Sequence, residues 1–415
     1  MPKRAVILSG ALGLGHDVVS EVVDGSLARL GWESRTLDCM ALLGPRAGPA
    51  GDWVFRRLMT RPGVYDGLHF AHLRAGSRLA AAMDHAATPR LLAALRGELR
   101  DEPADLIISV FAAGVPAAAV LAGSALAGSA PAGSVLAGPA PAGSAPGPRT
   151  AVLCPDALPH ATWVREGIGL YLVTSAAGAA AVRRYLPRAR TAIVPPPVRP
   201  AFYQPVPQPA ARSSLGLPPR ARCVLLMGGG WGLGPVEGAA RALAGAGVHV
   251  LAVAGRNGAL EARLRNLAAV SPLVRPFGFT PHIAGLMSAC DLVVTLPGAL
   301  TCGEARASGR RLLLVDAMPG HGRENVQHEL ELGGAEVSGP RPREIAASVL
   351  AALDRPRPAL PPRPAADWDQ AFAAAMASID VGRDRRADAP AAAPAGRTRA
   401  GGHPHARSTR EVGYP

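Results

Sequence analysis

At 415 residues the chain is long for one domain and suits two, each with enough apolar material for its own core. No apolar run reaches the roughly 18 residues of a membrane span, and the first one, Ala5–Ser9, is of strand length and runs into glycines, so neither a span nor a signal peptide is expected and the cytosol is the expected location. The net charge of +13 rests almost wholly on arginine and favours anionic ligands or lipid surfaces, while Cys39, Cys154, Cys223, Cys290 and Cys302 are widely spaced without a CxxC pair, which supports neither a zinc site nor a disulfide framework.

In chain order, Arg4–Ser9 reads as a strand, Gly10-Ala-Leu-Gly13-Leu-Gly15-His16 as a glycine-rich turn into a helix over about Asp17–Leu30, and Glu33–Asp38 as the next strand. The spacing G-x-x-G-x-G is not the dinucleotide fingerprint G-x-G-x-x-G, so this βαβ opening does not by itself name a ligand. His16 stands at the mouth of the helix. It reads either as a capping or solvated histidine or as a base at a crevice, where a helix N-terminus would also lower its pKa.

Residues Gly51–His85 mix Trp53, Phe55, Leu58, Met59, Tyr65, Leu68, Phe70 and Leu73 with Arg56, Arg57, Arg61, Arg74 and Arg78, a local enrichment in a chain with 4% aromatics. Two readings stay open, helical packing inside the first domain and an amphipathic surface that touches anionic lipid. A helix over about Pro89–Arg100 leads to a strand at Asp105–Val110. Ala122–Pro146 then repeats a five-residue Ala/Gly/Ser/Pro unit, which has too little apolar bulk to pack and reads as an expanded, dispensable loop. Beyond it come the strand Thr150–Cys154, the run Asp156-Ala-Leu-Pro-His160-Ala-Thr-Trp163, the strand Gly169–Thr174, a helix at Ala176–Tyr185 and the strand Thr191–Val194.

Pro195-Pro-Pro197 opens a proline-rich linker at about 196–210, dividing a first domain (1–195) from a second (211–380). The second begins with the strand Cys223–Met227 and the loop Gly228-Gly229-Gly230-Trp231-Gly232-Leu233-Gly234, a phosphate-class turn, and its next strand, Val248–Ala254, ends in Gly255-Arg256-Asn257. Two further strands, Asp291–Thr295 and Arg311–Val315, are apolar without alternation, as parallel strands buried on both faces are. Their turns, Pro297-Gly298 and Pro319-Gly320, lie at carboxyl ends of strands and so face one crevice. Thr301, Glu304, His321, Glu324 and Asn325 gather there. Thr301 is expected to cap a helix whose first N–H groups suit a phosphate, and Glu304, one turn on, could accept two hydroxyls, which together read as a nucleoside diphosphate with its ribose. Helices follow at about 324–332, 341–354 and 366–378, and Val381–Pro415 reads as a solvated basic tail, the one feature that would favour nucleic acid, which is not expected as a partner.

Two Rossmann-like halves facing each other across a proline hinge are the GT-B glycosyltransferase architecture, an α/β class with a central cleft. Val224–Glu237, Val253–Asn257, Gly278–Ala305 and Asp316–Asn325, with Ser9–His16 and the run Asp156–Trp163, resemble the monogalactosyldiacylglycerol synthase and processive diacylglycerol glycosyltransferase family, itself similar to the peptidoglycan lipid-intermediate N-acetylglucosaminyltransferase. The resemblance spans about 5–355 apart from the repeat and is most specific in the second half.

The resemblance implies inverting transfer of a hexose from a UDP-sugar to a hydroxyl of a diacylglycerol-like or other hydrophobic acceptor, with no bound metal or other cofactor. Gly228, Gly229, Gly230 and Gly232 would hold the diphosphate, the backbone near Phe277–Thr280, Phe279 and Thr280 included, the uracil, and Glu304 the ribose, with Arg256 also on the donor side. N–H groups near Gly298, Ala299, Leu300 and Thr301 would offset charge on departing UDP. His16 would deprotonate or orient the acceptor hydroxyl, with Gly13, Gly15, Asp156 and His160 on the acceptor side. His321, Glu324 and Asn325 would face the donor sugar. The family's PGQE becomes Pro319-Gly320-His321-Gly322 here, so the amide and carboxylate that read the sugar are replaced while Asn325 keeps its spacing. Two rivals are a sugar-nucleotide epimerase, for which Glu324 and Asp156 would have to be the acid/base carboxylates, and a non-catalytic nucleotide-sugar-binding protein. Peripheral contact with the inner face of the cell membrane is a further expectation.

Overall fold

A computed structural model of the chain describes residues 2–10, 15–59, 62–123, 147–355 and 366–387. The expected tail lies mostly outside them, as do most of the repeat and Gly13.

The first lobe runs β1 (Lys3–Ser9), α1 (Gly15–Arg29), β2 (Trp32–Asp38), α2 (Cys39–Leu42), α3 (Ala47–Met59), α4 (Pro62–Leu68), α5 (Arg78–Asp101), β3 (Leu106–Ser109), α6 (Val115–Gly123), β4 (Arg149–Cys154), β5 (Leu170–Val173), α7 (Ala176–Tyr185) and β6 (Thr191–Ile193). A single π-helical turn, His69–Leu73, extends α4. After α8 (Gln208–Ser214), the second lobe runs β7 (Cys223–Met227), α9 (Val236–Gly245), β8 (His249–Val253), α10 (Gly258–Val270), β9 (Val274–Phe277), α11 (Ile283–Ala289), β10 (Leu292–Thr295), α12 (Ala299–Ala307), β11 (Leu312–Val315), α13 (His321–Glu331), β12 (Ala335–Ser338) and α14 (Pro342–Asp354), and α15 (Ala366–Ala387) ends the described chain.

Each lobe is built on six parallel strands, in the orders β2-β1-β3-β4-β5-β6 and β12-β11-β10-β7-β8-β9. Strands such as β3, β5, β7, β10 and β11 are buried along their whole length, which is why they read as unbroken apolar runs. The order reverses between β1 and β3 in one sheet and between β7 and β10 in the other. A crevice opens beyond the carboxyl ends of strands at such a point, so topology alone places Gly10 and Val110 in one lobe, and Gly228 and Pro297 in the other, at the site.

Three local expectations change. The helix expected from Pro89 is the second half of α5, which runs through Pro89: Leu91, Leu95 and Leu99, all buried on one stripe, hold it against the sheet despite the lost backbone donor. The linker around 196–210 is packed, with Val198 and Phe202 buried in the core under the second sheet. α12 begins at Ala299 with Gly298 as its N-cap and no side-chain cap, so Thr301 lies inside the first turn and does not cap it. The last helix, expected in the second domain, crosses back to the first lobe: Trp368, Phe372 and Met376 repeat every fourth residue and join that lobe's core, and Trp368 donates to Ser26 Oγ at 2.8 Å.

Candidate active site between the lobes

The lobes meet at the carboxyl ends of their sheets. Leu300, at the start of α12, packs against the first lobe's core and leaves only van der Waals room at Gly15, while Asn325 bridges the cleft by accepting from Ala157 N–H at 3.1 Å and donating to the Pro297 carbonyl at 3.0 Å.

His16 is the second residue of α1. Its Nδ1 is 2.9 Å from the Val110 carbonyl oxygen, which can only accept, so Nδ1 carries the proton and Nε2 presents a lone pair. The Phe111 ring meets the imidazole edge-on with centroids 5.0 Å apart and fixes its plane. Burial pushes the His16 pKa below its ordinary 6.5, against the charge of Asp156 and the bond to Val110, which keeps the ring neutral near pH 7. A neutral, oriented imidazole with Nε2 unprotonated is what a general base requires.

Opposite it, the glycine loop of the second lobe is wrapped by backbone bonds. Leu233 N–H donates to Gly228 O at 2.9 Å, Gly232 N–H to Gly229 O at 3.1 Å, and Arg256 N–H to Gly230 O at 2.8 Å, which ties this loop to the turn after β8. Gly232 has φ 57°, and a Cβ there would lie 2.2 Å from the Ala254 carbonyl oxygen, so no side chain fits where the two loops cross. The Arg256 guanidinium lies 4.9 Å above the exposed ring of Phe279, and Thr280 Oγ1 accepts from His282 N–H at 3.2 Å, giving the rim a flat cationic and aromatic platform. The first N–H groups of α12, at Ala299, Leu300 and Thr301, precede the first intrahelical bond, made by Cys302, and remain available to an anion.

Glu304 is buried, and its Oε1 accepts from Arg199 Nη2 at 3.1 Å. Burial raises its pKa from 4.5 to about 7, against the pull of Arg199. One of the two carboxylate oxygens expected to be open is thus engaged by Arg199. Arg199 sits in the proline-rich stretch and carried no sequence signal beyond its charge.

The segment Pro319–Asn325 is gripped by α4 and its π-helical extension, an arrangement that spacing along the chain did not show. Asp66 accepts from Gly320 N–H at 2.6 Å and lies 2.9 Å from Arg323 Nη2. Gly320, at φ 64°, packs so close to the Tyr65 ring that a Cβ would lie 2.4 Å from it. Glu324 is held at both oxygens, by His69 Nε2 at 3.3 Å and Arg74 Nε at 3.0 Å, so it is not a free acid/base carboxylate of the epimerase kind. Of the two readings left open for this region, Tyr65 and Arg74 follow the packing one and point inward: Tyr65 is buried and Arg74 bridges Glu324 and the Pro159 carbonyl. Trp53, Val54, Val64 and Phe70 of the same region are exposed. His160 bonds Thr162 through Nδ1 at 2.7 Å, and burial together with the neighbouring His69 lowers its pKa to about 3.

A cavity of about 60 Å³ opens under the linker, walled by Pro196, Val198, Gly303, Arg306, Asn325 and Glu329; it includes neither His16 nor the glycine loop. Among the described residues no three His, Cys, Asp or Glu side chains are grouped to hold a metal ion, and no helix is long and apolar enough to cross a membrane. All five cysteines are free and buried.

No protein-family model matches the chain. Among curated proteins it is 34% identical over 208 residues to a probable chloroplastic monogalactosyldiacylglycerol synthase of Glycine max, an alignment covering 48% of this chain and 39% of that protein. The chain thus spans about two-fifths of the length of that relative. Among solved structures it matches MurG of Acinetobacter baumannii (TM-score 0.52, 14% identity, 92% of this chain and 100% of the other) and a UDP-glucosyltransferase of Polygonum tinctorium (TM-score 0.51, 13% identity, 92% and 94%). At such identities the likeness is one of fold. Two facing six-stranded parallel sheets with flanking helices make this a GT-B fold.

Proposed function

We propose that the chain is an inverting glycosyltransferase that moves a hexose from a UDP-sugar to a hydroxyl of a lipid-like acceptor. The observation that carries this reading is His16. Its Nε2 lone pair is directed by the Val110 carbonyl, and it sits at the switch point of one sheet, opposite a glycine loop and an open helix N-terminus at the switch point of the other. A base facing an anion cradle across a cleft suits in-line displacement at an anomeric carbon: Nε2 takes the proton of the acceptor hydroxyl, the oxygen forms the new bond to carbon, and the bond to the UDP oxygen breaks with inversion. Charge on the departing diphosphate meets the N–H groups of Ala299–Thr301, and Oε2 of Glu304 receives a ribose hydroxyl. Asp156, whose charge raises the His16 pKa, favours the imidazolium that the step creates.

The lipid-like acceptor is supported by the curated relatives, which are named for synthesis of a diacylglycerol glycolipid, and by Trp53, Val54, Val64 and Phe70 standing exposed on α3, α4 and the turn beside the cleft. Peripheral attachment to an anionic membrane face is part of the same proposal, supported by these residues and the net charge. The test is a panel of UDP-hexoses offered with diacylglycerol in mixed vesicles and with soluble hydrophobic alcohols, reading UDP release and glycosylated product. Product with lipid, increasing with anionic lipid and decreasing with salt, supports the whole reading; equal turnover on soluble acceptors removes the lipid but leaves glycosyl transfer, and UDP binding without product in any arm sinks the enzyme.

A further inference from the structure

The linker between the lobes crosses over a short, stiff stretch. Val194 belongs to the core of the first lobe and Val198 to that of the second, so the chain passes between them over Pro195-Pro196-Pro197, whose rings hold φ fixed. It lies directly on α12: a Cβ at Gly303 would come 2.9 Å from Cβ of Pro196 and 3.1 Å from Cγ2 of Val198. Just past the prolines, Arg199 stands between Val198 and Phe202, both buried in the second lobe's core, with its guanidinium carbon 5.2 Å from the centroid of the Phe202 ring. Packing thus aims the guanidinium at the buried Glu304, whose Oε1 it meets at 3.1 Å. Among the described residues Arg199 forms no other ion pair. The charged groups close by on α12 and α13, Arg306 and Glu329, pair with each other at 2.6 Å, so Arg199 is the cation that bears on Glu304. A buried carboxylate left without a cation takes up a proton rather than keep its charge.

Resting on the donor assignment made above, we infer that Arg199 is a positioning residue for the donor nucleotide: brought in by the linker, it acts through Glu304, keeping that carboxylate charged and oriented for the ribose. The linker is therefore part of the nucleotide site as well as the connection between the lobes. Gly303 serves the same end, because only a residue without a side chain lets the linker lie this close on α12. A lysine at position 199 would keep the charge while losing the planar fork.

Calorimetric titration of the full chain with UDP-glucose and UDP-galactose, from about pH 5.5 to about pH 9, tests this; their diphosphates carry no proton that titrates in that range. In the unmodified protein affinity is expected to level off above about pH 7. Arg199→Gln should move the midpoint of the profile up by about one pH unit, the low end of what an adjacent guanidinium contributes, so that affinity drops about fivefold at pH 7 and recovers by about pH 9. Arg199→Lys should keep the midpoint within about half a pH unit. In a Glu304→Gln background the profile should be flat, and adding Arg199→Gln should weaken binding by no more than about twofold, since the carboxylate it acts through is gone. That pair of variants leaves no buried carboxylate unpaired, so it decides the matter even if Arg199→Gln alone does not fold. An equal loss at every pH, or a further loss in the Glu304→Gln background, would show that Arg199 holds the diphosphate or only packs, and would overturn the inference, as would an unshifted midpoint in Arg199→Gln. No binding by the unmodified protein, or a Glu304→Gln variant with unmodified affinity and pH profile, would overturn the donor assignment beneath it and this inference with it.

Discussion

The two walls of the cleft are built by different means. The wall proposed for the nucleotide is backbone: the Gly228–Gly234 loop, the turn after β8 and the N-terminus of α12 offer N–H groups shaped by glycines and by local hydrogen bonds. The opposite wall is side chain, with His16, Asp156 and His160 of one lobe and Tyr65, Asp66 and His69 of the helical segment meeting His321, Arg323 and Glu324 of the other. A backbone wall binds what every nucleoside diphosphate shares, whereas a side-chain wall can be rewritten one residue at a time. In this chain the first wall rests on glycines close together in sequence and the second on side chains from distant segments.

The comparison breaks most sharply at His16. His16→Ala should lower turnover by about 10²–10⁴, the usual worth of a general base, and leave UDP affinity untouched, because the imidazole belongs to the side-chain wall alone. Steady-state rates beside a binding titration check it, and near-normal turnover would remove the base.

Glu304 supplies the next largest effect, through pH. With a folded pKa of about 7, it must lose a proton before its carboxylate can accept a ribose hydroxyl at full strength. UDP-hexose affinity should therefore fall as pH drops below 7, by up to about tenfold per unit for one linked proton, and level off above it. Glu304→Gln should flatten the profile. In the ligand-free protein the sign is opposite: the folded pKa exceeds the unfolded one, so the neutral acid stabilises the fold at low pH and stability falls as pH rises from 4.5 to about 7. Melting curves across that range, with the same variant as control, separate the two.

A smaller effect is expected at Asp66. Asp66→Ala removes the acceptor of the Gly320 N–H, a buried donor, and should cost about 1–3 kcal/mol in denaturant unfolding. UDP binding should persist, since the backbone wall is untouched; loss of both would mean that the walls are not independent. The smallest effect belongs to the repeat. Removing residues 124–146 shortens a connection whose closure entropy varies only logarithmically with length, so stability should change by about 1 kcal/mol or less. Loss of lipid-dependent turnover alone would assign the repeat to the acceptor side.

The same contrast explains what could be read in advance. Strands β7 and β10, the helix at Ala176–Tyr185 and the glycine loop stood in the sequence as apolar runs and local spacing. The stripe Trp368, Phe372 and Met376 was equally visible as a helix, but nothing local says that it docks on α1. Arg199 and Glu304 are separated by 105 positions, and His69 and Glu324 by 255, so neither pair leaves a trace in any window.

By itself the sequence determined the parallel sheets, the glycine turns and the placement of His16 at a helix mouth, because periodicity, φ requirements and helix starts are properties of neighbouring residues. Only the tertiary structure decided that Glu324 is spent on His69 and Arg74, that Arg199 guards Glu304, and that Tyr65 faces the cleft while Trp53 faces solvent. The physical reason is that a hydrogen bond or ring contact depends on distances of a few ångströms, which only the packing of distant segments can set.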